Sequence, residues 1–285
     1  MISKKYKFGE IKLEILTPVD FKDTEPFKTF IKPFENSNYK IRIEFVDELP
    51  KTILNFCYKA DDRTCVSQNG KIYIYYRDRD NLDGFYALRI IEEDKNECVI
   101  RFRKSFINNI SSRTVFAVIG IEDIAAANNA AILHSSFLNI NNEALIFTGS
   151  SGIGKSTQAD LWAKYRNAEI INGDKTLLYL KDNKAYASGL PFSGTSKFCK
   201  DKSVPLKNII SLSQGTKNMA QNLDGLKSFI EIYRGCYPIP YSKLLTNRQT
   251  DFIEQFSKKV NVYEYACLPD ETSVSYLEEK ICQNM

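Results

Sequence analysis

The stretch that decides the fold is Gly149-Ser150-Ser151-Gly152-Ile153-Gly154-Lys155-Ser156-Thr157. It fits the phosphate-binding loop pattern G-x-x-x-x-G-K-[ST] at every fixed position. The apolar run 144–148 before it indicates a buried strand, and the segment 158–165 after it indicates a helix. Strand, glycine loop and helix in this order is the arrangement that such a loop requires. The sequence therefore predicts an α/β fold built around a P-loop.

The residue types of this loop predict that it binds a nucleoside triphosphate. Glycines let the backbone adopt conformations that a side chain would hinder, so the N–H groups of residues 149–157 can surround an anion. The positive end of the next helix adds to this attraction. Lys155 is expected to hold the β- and γ-phosphates, and the Ser156 hydroxyl to bind Mg²⁺. The alternative, a glycine-rich turn without a ligand, is disfavoured because both flanks also match.

Composition excludes few classes of protein. The chain has 285 residues, 43% hydrophobic and 26% charged, which is ordinary for a soluble globular protein of one or two domains. A net charge of +4 gives no strong argument for nucleic acid. No apolar run is long enough to cross a membrane, and the start lacks the apolar core of a signal peptide. The seven cysteines include no C-x-x-C pair, so we expect reduced thiols, no zinc site and a cytoplasmic location.

The first part of the chain is rich in strand signals and contains no motif that carries chemistry. Alternating apolar residues predict strands at 40–46, 71–76, 85–91 and 98–103. Polar turn sequences separate these strands, and one of the turns lies at 81–84. These strands are expected to form an antiparallel meander.

The character of the sequence changes near residue 111, where an apolar, alanine-rich segment begins. We therefore expect a β-rich accessory or recognition domain over 1–110 and a catalytic domain over 111–285. Residues 115–133 are expected to be helical for much of their length.

The remaining segments place an acid and a tight loop close to the glycine loop in sequence. Residues 133–140 indicate a strand, and 168–174 a short strand ending in Asp174. A carboxylate there suits Mg²⁺, which prefers hard oxygen ligands beside phosphate oxygens. A predicted hairpin over 176–188 leads into the turn-rich loop 189–195. Beyond it we expect a strand and three helices, at 209–212, 224–233, 245–259 and 272–282.

Four features together resemble a known family. The pair His134-Ser135 precedes the loop strand, the loop reads GSSGIGKST, Asp174 follows soon after, and a hairpin leads to GLPFSGT at 189–195. This order resembles the catalytic domain of HPr kinase/phosphorylase-type serine kinases. Those kinases share a nucleotide-binding core with ATP-dependent phosphoenolpyruvate carboxykinases. The resemblance covers about residues 130–285, and implies that core as the fold, with ATP and Mg²⁺ as cofactors.

The resemblance also implies roles for individual residues. The loop Lys and Ser of such kinases bind phosphate and Mg²⁺, which points to Lys155 and Ser156 within the nucleotide-binding stretch 149–157. An acid after the next strand binds the metal or takes the proton from the acceptor hydroxyl, which points to Asp174. The histidine before the loop strand lines the active site, which points to His134. The expected catalytic residues are thus Asp174, His134 and Lys155, and the expected metal ligands Ser156 and Asp174.

Each of these residues has a structural interpretation as well. His134 is the only histidine and follows an apolar run, which is typical of a core histidine. Asp174 could cap a turn, and residues 193–197 could support the site without touching a ligand. Arg234 and Arg248 are candidate transition-state cations that nothing local distinguishes from surface charges.

Three departures from the family narrow the expectation. Bacterial members typically carry two adjacent Asp, whereas this chain has Asn172-Gly173-Asp174-Lys175. One carboxylate must then act as ligand and base together, or Ser156, phosphates and water hold most of the Mg²⁺. The first 110 residues do not resemble the HPr kinase regulatory domain, so HPr is not the expected substrate. The chain is also too short for a typical carboxykinase.

The sequence therefore predicts a kinase that uses ATP and Mg²⁺ to phosphorylate a hydroxyl, with serine on a peptide, protein or small metabolite as the expected acceptor. One alternative is a small carboxykinase-like or phosphorolytic enzyme. Another is a nucleotide-gated peptide-binding module without turnover, in which the β-rich domain recognises a peptide and ATP only sets the conformation. Whichever function holds, exposed sheet edges would let the β-rich domain recognise a leader peptide by strand addition. No nucleic-acid or membrane partner is expected, and a homo-oligomer is expected from the resemblance alone.

Overall fold

The computed structural model describes residues 1–50, 56–77, 84–194 and 196–282. The chain divides into two compact units: Met1–Asn128 with Pro238–Arg248, and Asn129–Tyr237 with the chain from Gln249 onwards. The domain division expected from the sequence, 1–110 and 111–285, remains a prediction. The compact units divide at different residues.

Packing explains why residues just beyond 110 belong to the first unit. The Ser112 hydroxyl accepts a hydrogen bond from the Thr24 N–H at 2.9 Å. The Phe116 ring lies edge-on against Tyr6 and Phe8, with ring centroids 4.9 and 6.0 Å apart. These contacts join residues distant in sequence, so composition alone does not reveal them.

The described residues of the first unit form one eight-stranded sheet, two short α-helices and the first residues of a third helix. Its strands are β1 (Ile2–Phe8), β2 (Ile11–Thr17), β3 (Tyr39–Val46), β4 (Phe56–Lys59), β5 (Arg63–Gln68), β6 (Lys71–Arg77), β7 (Phe85–Glu92) and β8 (Glu97–Arg103), and its helices are α1 (Ser112–Phe116) and α2 (Ile121–Ala127). The strand order is β1-β2-β3-β8-β7-β6-β5-β4. The four predicted strands are confirmed as β3, β6, β7 and β8.

The predicted antiparallel meander is right for β6 to β8 and wrong for β3. The prediction did not include β4 and β5, which extend the antiparallel part. Strand β3 is parallel to both β2 and β8. Parallel neighbours cannot be joined by a tight turn, and here the chain forms β4 to β7 before β8 returns beside β3. Residues 81–83 of the predicted turn lie outside the described part of the chain.

The expectation of a helix over 115–133 is only partly correct. Helix α1 ends at Phe116, and Gly120, with a φ of 63°, separates it from α2. From Ala130 the chain is strand, because Ala130–Leu133 pair with a neighbouring strand and are buried. Tertiary pairing overrides the helix propensity of alanine at these positions.

The second unit contains the glycine loop in a mixed sheet flanked by helices. Its strands are β9 (Ala130–Ile140), β10 (Glu143–Thr148), β11 (Glu169–Asn172), β12 (Lys175–Lys181), β13 (Lys184–Gly189), β14 (Ser203–Gln214), β15 (Met219–Leu223) and β16 (Asn261–Cys267), and the helices are α3 (Lys155–Arg166), α4 (Gly225–Gly235), α5 (Lys243–Ser257) and α6 (Glu271–Cys282). Residues of α5 from Gln249 onwards belong to this unit. The predicted hairpin, the strand at 209–212 and the three C-terminal helices are confirmed.

The sheet topology gathers strand ends around the glycine loop. Strands β10, β14 and β16 are parallel neighbours, while β9 is antiparallel to both β10 and β12. The carboxyl ends of parallel strands meet at one edge, which is where ligands bind in open α/β sheets. Below that edge the apolar residues of β10 are buried, and Phe147 packs on Trp162 of α3 with ring centroids 6.4 Å apart.

Among the described residues, none of the helices combines the length and the apolar content that crossing a membrane requires.

Candidate functional site

The glycine loop turns sharply from β10 into α3. Its glycines, Gly149, Gly152 and Gly154, have φ angles of 136°, 78° and 114°, which L side chains rarely adopt. A Cβ on Gly149 would lie 3.1 Å from the Leu212 carbonyl oxygen, whereas no heavy atom lies within 4 Å of a Cβ built on Gly152 or Gly154. The loop thus needs glycine for its backbone conformation, and the space beside Gly152 and Gly154 is open.

The Lys155 side chain folds back over this loop and is largely buried. Its Nζ donates hydrogen bonds to the carbonyl oxygens of Gly149 and Ser150, both at 3.0 Å. Burial lowers the pKa of Lys155, and the Asp174 carboxylate opposes that shift. The ammonium therefore lies against the loop, and its charge interacts with that of Asp174. Beyond it, the side chains of Ser156 and Thr157 in the first turn of α3 are exposed.

His134 and Asp174 approach one another across neighbouring strands. His134 Nε2 lies 3.7 Å from Asp174 Oδ1, and the Ser135 N–H donates to the Asp174 carbonyl at 2.9 Å. Burial lowers the pKa of His134 below 6.5, and the charges on Lys155 and Lys175 lower it further, while Asp174 opposes them. This balance of burial and charge favours the neutral imidazole. Sequence reasoning selected Lys155, His134 and Asp174, and the structure brings them together.

Asn172, which sequence reasoning did not select, fixes the position of Asp174. Its side chain is fully buried. Its Oδ1 accepts hydrogen bonds from the N–H groups of Asp174 and Lys175 at 2.9 and 3.0 Å. Its Nδ2 donates to the carbonyl oxygens of Leu190 and Phe192 at 2.8 and 3.0 Å. One amide thus joins the turn that carries Asp174 to residues 189–194, called the GLPFSG loop below.

The GLPFSG loop closes directly on Asp174. Gly194 has a φ of 55°, and a Cβ there would lie 2.9 Å from Asp174 Cγ. On the other side of the turn, a Cβ on Gly173 would lie 2.3 Å from Ser196 Oγ. Thr195, the last residue of the predicted loop motif, lies outside the described residues. The close approach at both glycines means that this loop sets the space beside the carboxylate.

Lys175 and two aromatic rings form a second group beside this pair. Lys175 is directly paired with His134 on β9, so both side chains lie on the same face of the sheet. Lys175 Nζ lies 4.0 Å from the ring centroid of Tyr237 and 5.3 Å from that of Phe192. The rings of Tyr237 and His134 are 6.0 Å apart. Tyr237 follows α4, far away in sequence, and no local motif marks it.

The end of α4 lies against the end of the loop strand. Thr148 Oγ1 donates to the His134 carbonyl at 3.0 Å, and a Cβ on Gly235 would lie 2.6 Å from the same Oγ1. Arg234, one of the two candidate cations, is exposed and pairs with Glu231 at 2.9 Å. Arg248, the other, belongs to the first unit.

The donor set fits Mg²⁺ only together with phosphate oxygens. Within the described ranges, no group of three or more His, Cys, Asp or Glu side chains could hold a metal ion. Ser156 and Asp174 are oxygen donors, and magnesium is commonly bound through one or two carboxylates with substrate phosphates and water. A metal held mainly by a nucleotide is therefore compatible with these residues.

Comparisons with known proteins leave the family open. No protein-family profile matches the chain, and no curated protein matches it. Among solved structures, the HPr(Ser) kinase/phosphatase from Coxiella burnetii is similar, with a TM-score of 0.32 and 16% sequence identity. That match covers 53% of this chain and 97% of the other. A similarity this weak does not establish a function for the chain.

Proposed function

We propose that this protein is a kinase that uses ATP and Mg²⁺ to phosphorylate a hydroxyl group, with serine on a peptide, protein or small metabolite as the acceptor. One observation carries the proposal: one compact unit holds both a glycine loop with a largely buried lysine and an acid that lies against a histidine. Lys155 interacts with Asp174, and Asp174 lies 3.7 Å from His134. These groups provide the positive charge and the proton acceptor that phosphoryl transfer needs.

The glycine loop and α3 would bind the triphosphate. The N–H groups of residues 149–157 and the N-terminus of α3 attract anions. The ammonium of Lys155 lies over the loop carbonyls of Gly149 and Ser150, from which it would turn to the β- and γ-phosphates. The Ser156 hydroxyl and Asp174 would hold Mg²⁺, which when bound neutralises charge on the phosphates.

Asp174 would act on the acceptor. In the reaction, the acceptor oxygen bonds to the γ-phosphorus, the bond from that phosphorus to the β–γ bridging oxygen breaks, and ADP leaves. Asp174 would take the hydroxyl proton, or orient the hydroxyl for attack. His134, 3.7 Å from Asp174, would add a polar contact that keeps the carboxylate or the acceptor in place. Most of the rate acceleration would come from positioning and charge neutralisation.

The proposal is tested by following the γ-phosphoryl group. Wild type, Lys155→Ala and Asp174→Asn are incubated with γ-labelled ATP and Mg²⁺, and offered free serine and a pool of peptides and proteins from the host. We expect label on a serine with wild type only. Tight ATP binding without transfer to any acceptor would contradict the proposal and favour a nucleotide-gated binding module. Turnover that requires an oxoacid or inorganic phosphate would favour the carboxykinase-like or phosphorolytic alternative.

A further inference from the structure

Lys175 contributes a second positive charge to the face of the sheet that carries His134. It follows Asp174 directly, and its register places it opposite His134. Both Lys155 and Lys175 lower the pKa of His134, so both ammonium groups are within electrostatic reach of the imidazole. Lys155 contacts the glycine loop, whereas the aromatic contacts of Lys175 are to the GLPFSG loop and Tyr237.

The surroundings of Lys175 hold its charge in place. The rings of Tyr237 and Phe192 lie 4.0 and 5.3 Å from Nζ, close enough to attract the ammonium and to restrict its conformations. The backbone on each side is also fixed, because Asn172 binds the Lys175 N–H and the Phe192 carbonyl, and the Tyr237 N–H donates to Ile132 at 3.0 Å. Aromatic walls replace part of the water around the charge, which strengthens its attraction for an anion.

We propose that Lys175, Tyr237 and Phe192 form a subsite for a carboxylate that the acceptor carries near its hydroxyl. This inference rests on the proposed kinase function. It narrows the acceptor to a hydroxy acid, such as a serine whose carboxylate is not part of a peptide bond. The hydroxyl would face Asp174, and the carboxylate would face the adjacent Lys175. A serine inside a peptide, whose carboxyl forms an amide, would lose this ion pair.

The test compares two acceptors that differ only in the carboxylate: N-acetylserine and N-acetylserinamide. The ratio of their kcat/KM values is measured for wild type, Lys175→Met, Lys175→Arg and the control Lys184→Met. Lys184 is an exposed residue on the same hairpin. We expect wild type and the control to prefer the carboxylate by about tenfold to a hundredfold, as a charge-assisted hydrogen bond gives. Lys175→Met should abolish that preference with the KM for ATP unchanged, and Lys175→Arg should restore part of it.

Two kinetic results would overturn the subsite. One is equal use of both acceptors by wild type. The other is a Lys175→Met variant that slows both acceptors alike or raises the KM for ATP, which would place Lys175 in the nucleotide site or in a structural role.

A binding measurement separates this inference from the kinase proposal. Calorimetry with ADP and Mg²⁺ present measures the affinity for N-acetylserine without requiring turnover. Binding of N-acetylserine that requires both its carboxylate and Lys175 would support the subsite. If the same protein transfers no phosphoryl group, that result would also refute the kinase proposal. Absence of such binding would refute the subsite, even if label reaches serines inside peptides.

Discussion

Substitution of Asn172 by alanine should damage acceptor chemistry more than nucleotide binding. The side chain makes four hydrogen bonds, two to the N–H groups of Asp174 and Lys175 and two to the carbonyls of Leu190 and Phe192. At about 1 kcal/mol each they contribute about 4 kcal/mol to the free energy of unfolding. Water entering the vacated space would recover part of this, so we expect a loss of about 2–4 kcal/mol.

The effect on catalysis follows from what the amide positions. Without Asn172, both the Asp174 turn and the GLPFSG loop lose their shared anchor, and a displacement of about 1 Å can lower a rate by about a hundredfold. The glycine loop is built by β10 and α3, so the affinity for ATP should change little. The expected result is a large fall in kcat with a much smaller rise in the KM for ATP, because Asp174 is only one of the groups proposed to hold Mg²⁺.

The assay pairs denaturant unfolding with steady-state kinetics for wild type, Asn172→Ala and the control Asn222→Ala. Asn222 is an exposed residue on β15 and should change neither measurement. A free energy of unfolding for Asn172→Ala within about 0.5 kcal/mol of wild type, the range of ordinary surface substitutions, would contradict the anchoring role of Asn172. That role would also be refuted if ATP affinity falls as much as kcat.

Three further predictions concern separate features. The pKa of His134 is lower in the folded protein than in the unfolded chain, so folding becomes less favourable as the pH drops below about 6.5. Between pH 8 and pH 5, the free energy of unfolding measured in urea should therefore fall less for His134→Gln than for wild type. Gly194 has a φ of 55°, and a Cβ there would lie 2.9 Å from Asp174 Cγ. Gly194→Ala should therefore reduce phosphoryl transfer while calorimetry still detects ATP binding, and unchanged transfer would contradict this. Asp123→Ala should lower the free energy of unfolding of the first unit by about 3–5 kcal/mol, because it removes the carboxylate that pairs with the buried Arg89. A negligible loss in thermal or urea unfolding would contradict a stabilising role for this ion pair.

The parts of the structure that sequence predicted well are those set by local chemistry. The strand, glycine loop and helix over 144–166 follow from a motif whose glycines adopt the left-handed conformations that only glycine adopts easily. The hairpin of β12 and β13 was predicted because apolar alternation and a polar turn are also local signals. His134 and Asp174 were found through their order along the chain, and their 3.7 Å approach could be seen only in the structure.

The parts that sequence missed depend on pairing across long separations. Strand β16 pairs with both β14 and β15, and β15 has few residues that are typical of strands. Strand β16 carries Val262, Tyr263 and Tyr265, which are typical of strands, but the prediction did not include it. Asn172 looks like an ordinary turn residue until the GLPFSG loop is placed against it. Tyr237 has no motif, and its place beside Lys175 and His134 results from the path of the chain after α4.

The central claim is that Asp174 acts on an acceptor next to a nucleotide held by the glycine loop. The most direct test measures ATP affinity and γ-phosphoryl transfer to serine on the same preparations of wild type and Asp174→Asn. We expect transfer by wild type. We expect the variant still to bind ATP but to transfer about 10²- to 10⁴-fold more slowly, the range for loss of a general base. A wild type that binds ATP without transfer, or an Asp174→Asn variant as active as wild type, would contradict the central claim.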